Sequence, residues 1–203
     1  MTGDKAHLER NDGSLVGVEE HSYNEAKRVF GLSPMIRQDS VVLILGTMPG
    51  TVSLRKQMYY ADPSNKFWDI LFEACGEKFD KTDKAKEMLL ERYRIAIWDI
   101  LKSAIRETAN DKDIKCGKPN NLPQYLNEYT NIRLLLFHSN DTYKYFRKFY
   151  KNTTIPYIRI SSPSGNNRIT IREKVSEWKA ALSSVIPLQT EYRLELKDPL
   201  SLK

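Results

Sequence analysis

The sequence predicts an α/β fold in which a mostly parallel sheet is covered on both faces by helices. Two observations lead to this class: short apolar runs recur along the chain, and amphipathic helical patterns separate them. Strands that alternate with helices form βαβ units, which build parallel sheets between helical layers. The chain has 203 residues and 40% apolar content, which is enough for one sizeable core.

Four apolar runs predict the buried strands, because short runs of this kind are typical of a parallel sheet. They are residues 41–45, 95–97, 132–137 and 157–160. After the first run, helical spacing predicts a helix with Ser64 as its N-cap and Gly76 just past its end. The buried face of this helix is Phe67, Trp68, Leu71, Phe72 and Cys75.

Three later helices are predicted in the same way. Residues 82–92 are amphipathic, and the last helix begins with a capping-box pattern of Thr170 and Glu173. The helix after the third strand has an aromatic face of Tyr143, Phe146, Phe149 and Tyr150. The apolar stripe of the last helix is Ile171, Val175, Trp178 and Leu182.

One domain is expected over residues 21–186. Residues 1–20 are polar and predict a disordered segment. Residues 187–203 form a tail in which residues 190–196 alternate weakly, as an edge strand would, and its role is left open.

Positive charge is concentrated in one part of the chain. Lysine and arginine outnumber aspartate and glutamate by 32 to 26, and residues 131–180 hold ten basic against three acidic side chains. A local basic surplus favours a polyanionic partner such as nucleic acid, although a solvated helix face has the same composition.

No metal site, cofactor, disulfide or membrane span is expected. Cys75 and Cys116 form no C-x-x-C pair, and His7, His21 and His138 have no metal-ligand spacing. No apolar stretch approaches the roughly 18 residues that span a bilayer. The protein is therefore expected to be soluble and intracellular, cytoplasmic or, in a eukaryote, nuclear.

Ligands of such sheets bind at the carboxyl ends of the strands, which indicates residues 46–65, 137–140 and 161–168. The first of these loops begins with Gly46-Thr-Met-Pro-Gly50, whose small residues let the backbone approach a ligand. It lacks the spacing of a P-loop or of G-x-G-x-x-G, so triphosphates and dinucleotides are unexpected ligands.

The rest of that loop contains Tyr59, Tyr60, Asp62 and Asn65. Aromatic rings beside polar side chains at the mouth of a sheet can stack on a flat base and orient a water molecule. In the alternative, which spacing alone favours, the tyrosines pack in the core and Asn65 only opens the next helix.

The third loop is polar and precedes a capped helix. Its hydroxyls, amides and backbone can grip a phosphate or enter a groove of DNA. Its position in the basic part of the chain favours nucleic acid over a plain surface turn. The residues concerned are Ser162, Pro163, Ser164, Gly165, Asn166, Asn167 and Arg168.

Short stretches follow one another in a recognisable order between residues 34 and 182; the segment from Tyr59 to Trp68 is specific, and the others count by their order. The stretches are Leu43-Ile-Leu-Gly-Thr-Met-Pro-Gly50, Ser53-Leu54, Tyr59-Tyr-Ala-Asp-Pro-Ser-Asn-Lys-Phe-Trp68, Ile97-Trp-Asp-Ile-Leu101, Pro119-Asn120, Phe137-His-Ser139 and Ser162-Pro-Ser-Gly165. In these stretches the sequence resembles the hypoxanthine-DNA glycosylase (DNA-deoxyinosine glycosylase) family of the uracil-DNA glycosylase superfamily.

The resemblance implies a three-layer α/β/α sandwich on a short central sheet and an enzyme that removes a deaminated base from DNA. Hypoxanthine is the implied base, with uracil and xanthine as further candidates. Asn65 is the implied catalytic residue, and residues 162–167 form the loop that presses into DNA. The implied base pocket is Gly46, Thr47, Met48, Pro49, Gly50, Tyr59, Tyr60, Phe67 and His138.

The chain departs from the usual family pattern at three places. The family has His-Pro-Arg-Asn where this chain has Asp62-Pro-Ser-Asn65, and it has Phe-Asn-Gly where this chain has Phe137-His-Ser139. His138 thus replaces an amide that would face the flipped base. The closing loop has the Pro-Ser-Gly form of mismatch-specific relatives.

Hydrolysis of an N-glycosidic bond passes through a cationic sugar and an anionic base. Backbone N–H groups of residues 47–50 can hold the base anion, while Asn65 positions water and Asp62 is its rival for that role. No lysine lies at the motif for Schiff-base chemistry, so an abasic site without a nick is the expected product. The enzyme is expected to act as a monomer on DNA that contains a deaminated base.

Two other interpretations remain open at this point. In the first, the chain is a catalytically inactive nucleic-acid-binding member of the same fold. In the second, it is an enzyme that acts on free bases or nucleosides. Excision from a duplex with one altered base distinguishes the glycosylase from both.

Overall fold

The structure, a computed structural model, describes residues 28–106, 113–164 and 168–188. Its strands are β1 (Arg28–Phe30), β2 (Val42–Gly46), β3 (Ile95–Asp99), β4 (Leu101–Ile105), β5 (Lys115–Pro119), β6 (Leu134–Phe137) and β7 (Tyr157–Arg159). Its helices are α1 (Thr51–Lys56), α2 (Phe67–Ala74), α3 (Asp83–Tyr93), α4 (Leu122–Glu128), α5 (Asn140–Phe149) and α6 (Ile171–Ser183).

The main sheet is parallel and has the strand order β3, β2, β6, β7. All residues of β2, β3 and β6 are buried, as expected of strands covered on both faces. The chain runs from β2 to β3 on one side and later enters β6 on the other side of β2. Because such crossovers are right-handed, their helices lie on opposite faces of the sheet. The predicted three-layer α/β/α sandwich is confirmed.

The predicted strands are confirmed with shifted ends. The second runs two residues further than predicted, to Asp99, and the third begins at Leu134, because Ile132 and Arg133 precede its pairing with β2. The chain reverses directly after Asp99, where the N–H of Ile100 donates to the carbonyl of Gly46 at 2.9 Å.

The predicted helices are also present, with one cap corrected. Thr82 and Thr170 cap α3 and α6, and the capping box with Glu173 is formed. Ser64 does not cap α2: the N-cap residue is Lys66, and Ser64 instead donates from both its N–H and its hydroxyl to Asp62. Gly76 follows α2 at φ +75°, which suits glycine.

A second, antiparallel sheet of β1, β4 and β5, together with α1 and α4, was not predicted. The β5 sequence, Lys-Cys-Gly-Lys-Pro, contains few strand-forming residues and is largely exposed. Its strand form comes from pairing with β4, which a local pattern does not reveal.

The aromatic core joins α2 to α6. The rings of Phe67 and Trp178 are fully buried and meet edge to face with centroids 5.3 Å apart. Burying a large apolar side chain contributes roughly 2–3 kcal/mol, so these two rings fix the segments just before each helix. Those segments contain Asn65 and the Ser161–Ser164 loop.

No helix among the described residues is both long and apolar enough to cross a bilayer. The expected disordered segment, residues 1–20, lies outside the described residues, as does the possible edge strand at 190–196. The division into one domain over residues 21–186 stays a prediction.

Candidate functional site

Three neighbouring strands of the main sheet bring a glycine, a carboxylate and an imidazole side by side. Gly46 ends β2 opposite Asp99, its register partner at the end of β3. His138 directly follows β6 on the other side of β2. Asp99 is 4% exposed and His138 8% exposed, so both polar side chains are buried.

Gly46 leaves the space into which these side chains converge. A Cβ atom at this position would overlap Oδ1 of Asp99, and it would lie 3.0 Å from the Tyr60 hydroxyl and 3.4 Å from Nε2 of His138. Three polar atoms therefore surround one point at the carboxyl edge of the sheet. In open α/β sheets this edge, where the strand order reverses, is where ligands bind.

Tyr60 lies over this point as a half-buried aromatic platform. Its ring stacks on Phe67 with centroids 3.6 Å apart and an interplanar angle of 7°. Its hydroxyl lies 2.5 Å from Nε2 of His138. The backbone of Tyr60 has φ 53°, a left-handed conformation that non-glycine residues adopt at a cost of about 1 kcal/mol.

Tyr59, in contrast, is 2% exposed, and its hydroxyl donates to the carbonyl of Leu32 at 3.1 Å. Burial raises its pKa far above the usual range, with a smaller contribution from the charge of Asp99. Tyr59 is thus buried, whereas Tyr60 is half-buried, and the place of Tyr59 in the base pocket stays a prediction.

His138 is a neutral imidazole at physiological pH. Burial lowers its pKa from 6.5 to about 4, since the charged form is poorly solvated in the interior. Its Nδ1 has no hydrogen-bond partner among the described residues.

The backbone from Thr47 to Gly50 is held from two sides. The hydroxyl of Thr47 lies 2.9 Å from that of Thr142 in the first turn of α5, and the buried Arg106 side chain donates to the carbonyl of Pro49. Within the described residues, no hydrogen bond uses the N–H groups of Thr47, Met48 or Gly50. Thr47 and Met48 are buried, and buried N–H groups without partners are rare in proteins, so these donors are available to a ligand.

Asn65 is half-buried just before α2, and its Oδ1 accepts a hydrogen bond of 2.9 Å from the N–H of Phe67. Asn65 thus supports the start of α2, as the alternative expected, although the N-cap residue is Lys66. The second lone pair of Oδ1 accepts no hydrogen bond among the described residues, and the side chain is only half-buried. Its Nδ2 has no partner among the described residues.

Asp62, the rival carboxylate, is exposed, and its Oδ1 accepts hydrogen bonds from Ser64. These bonds measure 2.7 Å from the hydroxyl and 2.9 Å from the N–H, and they lower the Asp62 pKa below its usual value. Asp62 therefore shapes the turn that leads to Asn65.

The loop from Ser161 to Ser164 is anchored to α6 and to the Asn65 segment. Glu177 and Trp178 bind the backbone of Ser161, and the buried Lys174 donates to the carbonyl of Ser164 at 3.0 Å. The N–H of Lys66 donates to the carbonyl of Pro163 at 3.2 Å, which ties this loop to the residue beside Asn65.

Of the residues expected to contact DNA, Ser164 and Arg168 are exposed, Ser162 is half-buried and Pro163 is buried. Gly165, Asn166 and Asn167 lie outside the described residues. In the part of the chain that the structure describes, no group of His, Cys, Asp and Glu residues could hold a metal ion.

Comparison with known proteins shows the family to which the chain belongs. The family model of the uracil DNA glycosylase superfamily matches residues 34–185, which include every part of the site. The chain belongs to the uracil DNA glycosylase superfamily. The chain is 32% identical over 155 residues to the hypoxanthine DNA glycosylase of Methanosarcina barkeri, a match that covers 74% of this chain and 96% of that protein.

A second relative, the hypoxanthine DNA glycosylase of Methanosarcina acetivorans, is 30% identical over 155 residues, which cover 74% of this chain and 95% of that protein. A solution NMR structure from the same organism, of a proposed uracil DNA glycosylase, superposes with a TM-score of 0.68 at 28% identity. That superposition covers 78% of this chain and 98% of the other.

Sequence reasoning missed four residues that shape the candidate site of this member of the uracil DNA glycosylase superfamily: Asp99, Arg106, Thr142 and Lys174. A signal existed for Asp99, because a carboxylate directly after an apolar strand stands where ligands of parallel sheets bind. Arg106 and Lys174 had none, since nothing in a local pattern distinguishes a buried cation from a surface one.

Proposed function

We propose that this protein is a DNA glycosylase that receives a deaminated base extruded from the duplex and hydrolyses its N-glycosidic bond. Hypoxanthine is the proposed base, in keeping with the names of the Methanosarcina relatives, and uracil and xanthine are tested beside it. The observation that carries the proposal is the position of the Tyr60 ring, which stacks flat on Phe67. Tyr60 precedes Asn65 by five residues. A half-buried ring at this edge of the sheet provides a stacking surface for a planar base.

The departing base takes up negative charge as the glycosidic bond breaks. The N–H groups of Thr47, Met48 and Gly50, which bind no acceptor in the described part of the chain, are suited to stabilise that charge, because donors fixed by the fold need not reorient during the reaction. Thr142 and Arg106 hold this backbone in place from two sides.

We assign to Asn65 the role of positioning the attacking water molecule. The bond from Phe67 fixes the orientation of the Asn65 Oδ1, whose second lone pair can accept a hydrogen bond from a water molecule below the sugar. An amide is too weak a base to ionise water, so it serves by positioning the nucleophile against an already cationic sugar.

The proposed product is an abasic site in an uncut strand. Lyase chemistry needs a free amine, whereas the ammonium of Lys66 pairs with Asp69 at 3.5 Å and that of Lys174 binds the Ser164 carbonyl. The chemistry requires no metal or cofactor, and we propose that the protein acts as a monomer in the compartment that holds the DNA, cytoplasm or nucleus.

The test is excision from labelled duplexes that each contain one deoxyinosine, deoxyuridine or deoxyxanthosine, with released base measured by chromatography. We expect free base and a strand that breaks only after alkali. Binding without release would favour the inactive nucleic-acid-binding interpretation, turnover of free nucleosides alone would favour the nucleoside enzyme, and a nick before alkali would contradict the uncut product.

Replacing Arg168 with alanine is expected to weaken DNA binding in a salt-dependent way. Arg168 is exposed beside the Ser161–Ser164 loop, so one phosphate contact should be lost. The slope of log affinity against log salt should fall by about 0.9 between roughly 50 and 200 mM salt. The matched control is Arg133→Ala, since Arg133 is exposed at the opposite end of the sheet; equal slopes for the two variants would argue against the contact.

A further inference from the structure

His138 lies where the family usually has asparagine, and its Nε2 atom already contacts another side chain. The Tyr60 hydroxyl lies 2.5 Å from Nε2, the short end of hydrogen-bond distances. The imidazole also packs edge to face on Tyr60, with centroids 5.3 Å apart, and on Phe67 at 6.2 Å. Nε2 therefore faces the platform residue.

The surroundings of this contact leave Nε2 little freedom. A Cβ at Gly46 would lie within 3.4 Å of both Nε2 and the Tyr60 hydroxyl, so the pair sits directly over the end of β2. His138 itself is 8% exposed, and its imidazole packs on the rings of Tyr60 and Phe67. A rotation of the imidazole would break the contact between Nε2 and the Tyr60 hydroxyl.

The Tyr60 ring needs such a partner. Its backbone has φ 53°, a strained conformation that persists where the surrounding structure holds it, and the contacts of the side chain contribute to that. One face of the ring is held by Phe67, and the hydroxyl end is held by His138.

We propose that His138 is a positioning residue that acts through Tyr60: its Nε2 holds the Tyr60 hydroxyl and thereby fixes the ring against which an extruded base stacks. This inference rests on the proposed function and gives His138 a different role from the base-facing amide that the resemblance implies. Burial keeps the imidazole neutral, so Nε2 and the hydroxyl share one hydrogen bond rather than a charged pair.

The two amide side chains distinguish these roles because of their lengths. Glutamine can place an amide atom near the position of histidine Nε2, whereas asparagine reaches only the position of Nδ1. If His138 serves Tyr60, His138→Gln preserves the contact and His138→Asn loses it. If His138 reads the base through Nδ1, His138→Asn restores the usual family amide and is the better substitute.

The experiment measures single-turnover excision and duplex affinity for both variants on the best substrate of the wild-type protein. We expect His138→Gln to stay within about 3-fold of the wild-type rate and His138→Asn to fall about 10-fold, on the scale of one lost hydrogen bond. Duplex affinity should be unchanged in both, because the residues expected to contact DNA lie in another loop. An active His138→Asn beside an impaired His138→Gln would overturn the inference.

Tyr60→Phe provides a second measurement that keeps the stacked ring and removes only the hydroxyl. We expect a loss similar to that of His138→Asn and no further loss when the two changes are combined, because they remove the same hydrogen bond. Additive losses would overturn the shared contact. In the free protein, Tyr60→Phe should also shift the ¹⁵N resonance of His138 Nε2, and an unchanged resonance would contradict the contact.

Failure of this inference differs from failure of the proposed function. Wild-type protein that releases no base from any duplex would overturn the function and with it this role. Wild-type activity together with the reversed order of the two amide variants would overturn only the role of His138.

Discussion

Replacement of Asn65 with alanine is expected to lower single-turnover base excision by about 10²-fold or more, the scale of losing one positioning group. Duplex affinity should be nearly unchanged, because the side chain is half-buried beside the pocket and is not on the DNA-facing loop. The free energy of unfolding should fall by about 1 kcal/mol, since Oδ1 no longer binds the N–H of Phe67 at the start of α2. Quench-flow excision, equilibrium binding and thermal melting measure the three effects.

Two control variants separate catalysis from folding. Asn65→Asp keeps an oxygen for the Phe67 N–H, so it should melt like the wild type and excise faster than Asn65→Ala. Asp62→Ala should lower the single-turnover excision rate by less than 10-fold, because that carboxylate is exposed and bound to Ser64. Wild-type excision by Asn65→Ala would reject the assignment, and equal losses at both positions would mean that the two residues act together.

Replacement of Gly46 with alanine is expected to damage both stability and excision. The added Cβ would overlap Oδ1 of Asp99 and crowd the Tyr60 hydroxyl and His138 Nε2. Overpacking of this kind costs about 1–3 kcal/mol, which corresponds to a melting temperature lower by roughly 2–12 °C for a chain of this size. Displacement of the Tyr60 platform should reduce excision by up to about 10²-fold.

The matched control is Gly50→Ala in the same loop. Gly50 has φ −69°, and a Cβ there would meet nothing within 4 Å, so alanine should change the free energy of unfolding by less than about 0.5 kcal/mol. If both variants behaved like the wild type, the crowding around Gly46 would not matter to the site. If both lost activity equally, backbone freedom of the loop would be the cause.

The main sheet was predictable because its strands are continuous apolar runs. Residues of β2 and β6 are buried on both faces, so their sequence reports their environment directly. The second sheet was not predictable from the sequence, because β5 becomes a strand only by pairing with β4, and a local pattern does not reveal that pairing. The start of α2 was misassigned since Ser64, Asn65 and Lys66 all suit a helix start, and the turn at Asp62 decides among them.

The sequence indicated which loops contribute to the candidate site, but it did not indicate which side chains contact one another there. The resemblance indicated both tyrosines, yet only the fold reveals that Tyr59 turns into the core while Tyr60 stacks on Phe67. The basic surplus likewise counted Lys174, which is buried and holds the Ser164 carbonyl. Which side chain of an adjacent pair faces a ligand depends on packing that spacing alone does not encode.

The central claim is that this site hydrolyses the glycosidic bond of a deaminated base with Asn65 placing the water. Its most direct measurement is a time course of wild-type protein and Asn65→Ala, each in excess over an end-labelled duplex with one deoxyinosine, analysed with and without alkali. We expect the wild type to convert the duplex to a product that breaks at the lesion only after alkali, while Asn65→Ala binds the duplex equally and reacts at least about 10²-fold more slowly. Equal rates for the two proteins, or no alkali-labile product from the wild type on deoxyinosine, deoxyuridine or deoxyxanthosine duplexes, would contradict it.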